Sequence, residues 1–155
     1  AQRTIISREL ATASKRLLIV GDSTAVGTGA GNPNDSTAGR IAADYPEIAI
    51  KVSRELSSKK YSRAILICGS GLGMCITANK YKGVYCSLVY NTNTAELSRK
   101  HNNSNILSLA ARITNTRLAI KIVDTWIQTK FEGGRHLRRI NQIKKIERDN
   151  FKRKF

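Results

Sequence analysis

Ala64-Ile-Leu-Ile-Cys-Gly-Ser-Gly-Leu-Gly-Met74 is the most informative stretch of the chain. Ala64 to Ile67 is short, apolar and uninterrupted, the pattern of a strand buried on both faces. The run meets Cys68 and then glycines at alternating positions, Gly69, Gly71 and Gly73. A helical stretch from Met74 to Lys80 is expected next. A strand, a glycine-rich turn and a helix start in that order aim backbone N–H groups at an anion. Here a thiol stands at the lip. The bland reading is a tight turn with positive φ and a cysteine that merely packs. G-x-G-x-G differs from the dinucleotide fingerprint G-x-G-x-x-G, so no nucleotide site is read.

The same logic extends in both directions. Leu17-Leu-Ile-Val20 reads as an earlier buried strand, preceded by a helix or arm and followed by Gly21-Asp-Ser-Thr24 and a glycine-rich segment. Thr37 to Ala43 is a short helical candidate. Pro46 to Ser57 has Ile48, Val52 and Leu56 at a spacing of four, with Glu47 in the first turn, as an amphipathic helix does. Val84–Val89 and Asn105–Ala110 are the third and fourth strands. Between them a helix capped by Asn93-Thr94 runs to Lys100. Thr114 or Thr116 opens a helix to about Lys130, stopped by Gly133-Gly134. A last helix, Arg135 to about Asn150, carries Leu137, Ile140, Ile143 and Ile146 on one side. Strands alternating with helices predict an α/β fold, a three-layer Rossmann-like sandwich with a mainly parallel sheet. Ligands of such sheets bind at the carboxyl ends of the strands. Cys68, Asp22-Ser23 and Asn91 all fall at such ends.

The 155 residues fit one domain with a real core. No apolar run is long enough to span a bilayer. Three cysteines (Cys68, Cys75, Cys86) in apolar surroundings fit free thiols in a reducing cytoplasm. The polar N-terminal residues show no secretory signal. Cys68 and Cys75 have no nearby histidine in sequence, so no metal site is expected. The net charge of +16 admits a nucleic-acid partner or a basic surface around a small phosphorylated ligand. From Arg135 to Phe155 nine Lys/Arg face only Glu147 and Asp149, a pattern that a solvated helix face also explains. No zinc-finger spacing or aromatic-interleaved basic stripe marks a dedicated nucleic-acid fold.

From Asp44 onward the chain resembles the type B ribose-5-phosphate isomerase family, which includes galactose-6-phosphate isomerase. The resemblance rests on Asp44-Tyr-Pro46, Ile67-Cys-Gly-Ser-Gly-Leu-Gly73, Ala78-Asn-Lys80, Leu97-Ser-Arg-Lys-His-Asn102, Asn105-Ile-Leu107 and Glu132-Gly-Gly-Arg-His136, in that order. The first 43 residues depart from it. Asp22 matches an Asp of the family, but Ser23 stands where a His is expected. Leu18-Ile-Val-Gly-Asp-Ser-Thr-Ala-Val-Gly27 is similar instead to the first block of GDSL-type esterases, whose Ser is a nucleophile. The chain thus reads as one α/β domain: an esterase-like start (1–43), an isomerase-like body (44–150) and a basic tail (151–155).

The resemblance implies aldose–ketose isomerisation of a sugar phosphate through an enediolate. That chemistry needs a base, oxyanion donors, a ring-opening group and a phosphate clamp, with no cofactor or metal. It places the base at Cys68 and the oxyanion donors at Gly69, Ser70, Gly71 and Gly73. It puts ring opening at His101 with Asn102 beside it, and the phosphate at Arg135, His136 and Arg139, with Arg112 a further candidate. Asp22 and Tyr45 complete the substrate-binding set. His101 alone also reads as a helix C-cap. The family clamp reaches a neighbouring subunit, which implies a homodimer or homotetramer, with no membrane and no nucleic-acid partner. An esterase would need the C-terminal D-x-x-H of its family. Ser98 and Gly133 stand three before the two histidines, so that motif is missing. A non-catalytic basic binding module on the same fold is the remaining alternative, and Ser23 would weaken substrate binding.

Overall fold

The computed structural model describes residues 17–21 and 45–152. Four strands form one parallel sheet: β1 (Leu17–Gly21), β2 (Arg63–Cys68), β3 (Cys86–Leu88) and β4 (Ile106–Ala110). Their order is β1-β2-β4-β3. Ile65 pairs with Ile19 on one side and Leu107 on the other, and Cys86 pairs with Ile106. The inner strand β4 is buried at every position, as a parallel strand covered on both faces is.

The helices are α1 (Tyr45–Ser57), α2 (Leu72–Ala78), α3 (Thr92–Lys100), α4 (Thr116–Gln128) and α5 (Gly134–Lys152). Strand alternation sorts the core into two faces. Ala64, Leu66 and Cys68 pack with Ala49, Val52, Leu56 and Met74 from α1 and α2. Ile65, Leu107 and Leu109 pack on the other face with Ala95, Ile122 and Trp126 from α3 and α4. This is the expected three-layer α/β sandwich. Each fully buried Ile or Leu contributes about 1.5–3 kcal/mol of transfer free energy.

Several boundaries differ from expectation. α2 begins at Leu72, before Met74, and β3 shrinks to three residues. Asn91 caps α3, its Oδ1 accepting from Thr94 N at 2.8 Å, where Asn93-Thr94 was the expected cap. Asn115 caps α4 through Leu118 N at 2.9 Å, in place of either neighbouring threonine. An Asn carbonyl reaches an orphan N–H as well as a threonine hydroxyl does, and both sites offer adjacent candidates. α4 stops at Gln128, short of the two glycines. Its terminal carbonyls are taken by arginines from elsewhere: Arg63 Nη1 donates to Ile127 O at 2.7 Å and Arg99 Nε to Thr129 O at 3.4 Å. Gly134 then opens α5 instead of closing α4.

The apolar side expected on α5 is largely uncovered. Ile140 is buried, whereas Leu137, Ile143 and Ile146 are 44%, 42% and 61% exposed. α5 is tied to the body by His136, by Ile140 and by Glu147, whose carboxylate accepts from Gly83 N at 2.5 Å and from the Tyr85 hydroxyl at 3.5 Å. The helical readings of residues 1–16 and 37–43 lie outside the described residues, as do Asp22 and Ser23.

Candidate active site

Four parallel strands end at one edge of the sheet. There β2 delivers Cys68, opposite Ala110 of β4. The Cys68 sulfur is buried and accepts a hydrogen bond from Gly71 N at 3.2 Å. Gly71 has a φ of 74°, and a Cβ there would stand 2.4 Å from Leu88 Cδ1 and 3.2 Å from the Leu109 backbone. Glycine is therefore required by both backbone and space. The Ser108 hydroxyl donates to Gly71 O at 2.7 Å from the middle of β4 and so pins the turn beneath the thiol. The sequence reading missed Ser108; a buried hydroxyl inside an apolar strand was the available signal.

Gly69 serves a neighbour. Its carbonyl accepts from Arg112 N at 3.0 Å, and a Cβ on it would lie 3.1 Å from Arg112 Nε. The missing side chain lets the guanidinium lie against the turn. Ser70 is exposed, and its Oγ accepts from Leu72 N at 3.4 Å. Gly73 is the second residue of α2, and Tyr45 is the first of α1. Asp22 follows the last residue of β1 and lies outside the described residues.

The other predicted site residues gather elsewhere. His101 is the C-cap of α3, so the capping reading holds. Its ring stacks on His136 with centroids 4.1 Å apart and planes at 5°. Arg135 Nε donates to His136 Nε2 at 3.4 Å, and Glu132 Oε2 lies 3.7 Å from the same nitrogen. Glu132 N donates to Lys100 O, which draws the segment before α5 onto the end of α3. Asn102 is exposed beside His101; Arg139, one turn beyond Arg135, is also exposed.

Chain direction separates these two groups. α3 leaves the carboxyl end of β3 and returns to the start of β4, where Asn105 O accepts from Ala64 N at the beginning of β2. His101 and His136 therefore sit at the amino edge, and Cys68 with Arg112 at the carboxyl edge. The six residues of β2 span the gap, roughly 15–20 Å at a strand's rise. Within one chain the expected single constellation is two half-sites. Sequence spacing hid this because a βαβ crossover reverses direction.

His101, Glu132 and His136 offer donor atoms within 4.8 Å of one another, a potential metal triad that the sequence reading did not foresee. Stacked parallel rings cannot both hold one ion in their planes unless a ring turns. His136 is pushed below the ordinary imidazole value of 6.5, first by burial and then by the charges of His101, Arg135 and Arg139, with Glu132 opposing. A lowered histidine is neutral in the fold where the unfolded chain is already protonated. Its contribution to stability is full above about 6.5 and is lost as pH falls through the folded value. The thermal midpoint on acidification through this range is expected to fall more steeply for wild type than for His136→Gln.

Known proteins now bear on these half-sites. The ribose/galactose isomerase family matches residues 17–143. This chain belongs to that family. As a ribose/galactose isomerase it is 39% identical over 104 residues to ribose-5-phosphate isomerase B of Escherichia coli, covering 67% of this chain and 70% of the relative. The structure of Clostridium thermocellum ribose-5-phosphate isomerase B matches with a TM-score of 0.68 at 40% identity, covering 79% of this chain and 78% of that one. The Mycoplasma genitalium enzyme, solved with bound ribulose-5-phosphate, gives 0.66 at 39% identity, covering 80% and 77%. The family match reaches back to Leu17. It includes β1 and spans the segment read as esterase-like. No helix among the described residues is long and apolar enough to cross a membrane.

Proposed function

We propose that this isomerase interconverts ribose 5-phosphate and ribulose 5-phosphate, as a homodimer whose two sites each combine half-sites from both copies. The observation that carries this reading is the division of the candidate residues between opposite sheet edges. Around the carboxyl edge, Leu72, Ile76, Tyr90 and Ile113 are exposed; across the molecule, so are Leu137, Ile143 and Ile146 of α5. A two-fold partner that lays its α5 on the carboxyl edge covers both apolar surfaces at once, as an isologous interface does. The same motion brings one copy's histidines toward the other's Cys68.

In this site His101 moves the proton that opens the sugar ring. Cys68 takes the proton from the carbon next to the carbonyl and returns it to the neighbouring carbon. The negative oxygen that develops between these steps is met by backbone N–H groups of the Gly69–Gly73 turn and the Ser70 hydroxyl. Arg135, His136 and Arg139 hold the phosphate with charge-assisted hydrogen bonds, and Arg112 adds a cation beside the turn. Asn102, Tyr45 and Asp22 position the sugar hydroxyls.

The test is subunit complementation. Cys68→Ala and His101→Ala are each expected to lose turnover of ribose 5-phosphate. In a mixed dimer one site carries both lesions and the other carries neither. Random exchange at equal amounts then restores about a quarter of wild-type activity. No recovery from subunits that demonstrably exchange would rule out the composite site, and wild type inert toward ribose 5-phosphate would rule out the substrate.

A further inference from the structure

Two further thiols lie where α2 packs on the edge strand. Cys75 lies in α2 and is half-buried; Cys86 opens β3 and is buried. The Cys75 thiol donates to Cys86 O at 3.5 Å, and both side chains pack in the same core cluster. Asn79, one turn beyond Cys75, fixes the junction. Its Nδ2 donates to Cys86 O at 3.0 Å and to Cys75 Sγ at 3.6 Å, and its Oδ1 accepts from Cys86 N at 2.8 Å. Helix and strand are thus clamped with both cysteines at the junction. Cys68 stands apart from this pair, with its sulfur under Gly71 N.

We propose that Cys75 and Cys86 form a thiol–disulfide modification site that closes to an intramolecular disulfide on meeting a low-molecular-weight disulfide. This stands independently of the isomerase reading. The two thiols have unequal roles. Cys75 is the one solvent reaches. Its titration is lowered to about 7, chiefly by the hydrogen bond with Cys86, with backbone and Asn79 donors assisting and burial opposing. Cys86 is pushed the other way by Cys75 and by burial and keeps its proton. Thiolate, not thiol, is the nucleophile.

The exchange runs in two displacements. The Cys75 thiolate attacks one sulfur of the oxidant RSSR, forming Cys75–SR and expelling RS⁻. Cys86 then gives its proton to the departing thiolate, and its sulfur attacks Cys75. The Cys75–SR bond breaks, the Cys75–Cys86 bond forms and a second RS⁻ leaves to be protonated. Two protein thiols are oxidised to one disulfide, and RSSR is reduced to two RSH. Side-chain rotation brings the two sulfurs to the bond length of about 2 Å, while the Asn79 clamp keeps the backbone in register. The link falls two residues before Leu88, whose side chain packs over Gly71.

The experiment uses the reduced full chain, oxidised glutathione as the probe, alkylation of remaining thiols and peptide mass mapping. Cleavage at Met74, the single methionine, separates Cys68 from Cys75, and trypsin cutting at Lys80 or Lys82 separates Cys75 from Cys86. The expected product is lighter than the reduced protein by two hydrogens, with Cys75 linked to Cys86 and Cys68 alkylated. Cys86→Ser is expected to stop at a stable glutathione adduct on Cys75. Linkage through Cys68, a glutathione adduct on wild type that never closes, or no oxidation of Cys75 would each overturn the proposal. The wild-type map decides it even if a variant fails to fold, and no readout requires catalysis.

Discussion

Cys68→Ala is expected to lower kcat for ribose 5-phosphate by about 10²–10⁴-fold, the usual worth of a positioned general base. KM is expected to move little, because the proposed phosphate clamp of Arg135, His136 and Arg139 does not include the thiol. The substitution removes one sulfur from the end of β2 and leaves the Gly71 turn held by the Ser108 hydroxyl at 2.7 Å. Folding should therefore survive, and thermal melting separates lost chemistry from lost structure. Cys68→Ser sharpens the test. A hydroxyl still accepts the Gly71 N–H but is a far weaker acid than a thiol, so it retains the geometry without the base. Activity close to wild type in either variant would remove Cys68 from the proton transfer and leave the turn as a packing feature.

The glycine-rich turn was legible in sequence because everything that makes it is local. A buried apolar run, a thiol and alternating glycines sit within eleven residues, and the required positive φ falls on one of those glycines, Gly71. The two-faced core was equally legible, since Ala64, Leu66 and Cys68 alternate with Ile65 and Ile67 by the strand period alone. What escaped were relations between distant residues. The end of α4 is set by Arg63 and Arg99, far away in sequence, so glycines nearer to hand looked like the stop. Ser108 reaches Gly71 across the sheet. Most important, a list of motifs carries no direction. His101 and Cys68 belong to one motif set, yet the crossover through α3 puts them at opposite edges. The exposed stripe of α5 reads as an ordinary core face until one sees that nothing in the described residues covers it.

Trp126→Ala should be the most damaging single change to the fold, by about 3–5 kcal/mol for a large buried aromatic. Trp126 is fully buried between the sheet and α3. Two arginines lie over its ring, Arg63 at 5.4 Å and Arg99 at 5.6 Å from the centroid. Neither shows a carboxylate partner among the described residues. Arg99 is lowered to about 10, first by burial and then by the charge of Arg63. The indole thus does two things: it fills the core, and its π face compensates two like charges that would otherwise meet across a cavity. The same arginines bind the last carbonyls of α4 and the Ser104 carbonyl before β4. Losing the ring should therefore loosen the end of α4 as well as the core. Trp126→Phe is the control. It keeps an aromatic face and removes an indole N–H that finds no acceptor among the described residues, so its cost should be well below that of alanine. Urea unfolding of both variants measures the difference. If alanine and phenylalanine cost the same, the ring's face contributes nothing and the two arginines are held by carbonyls alone.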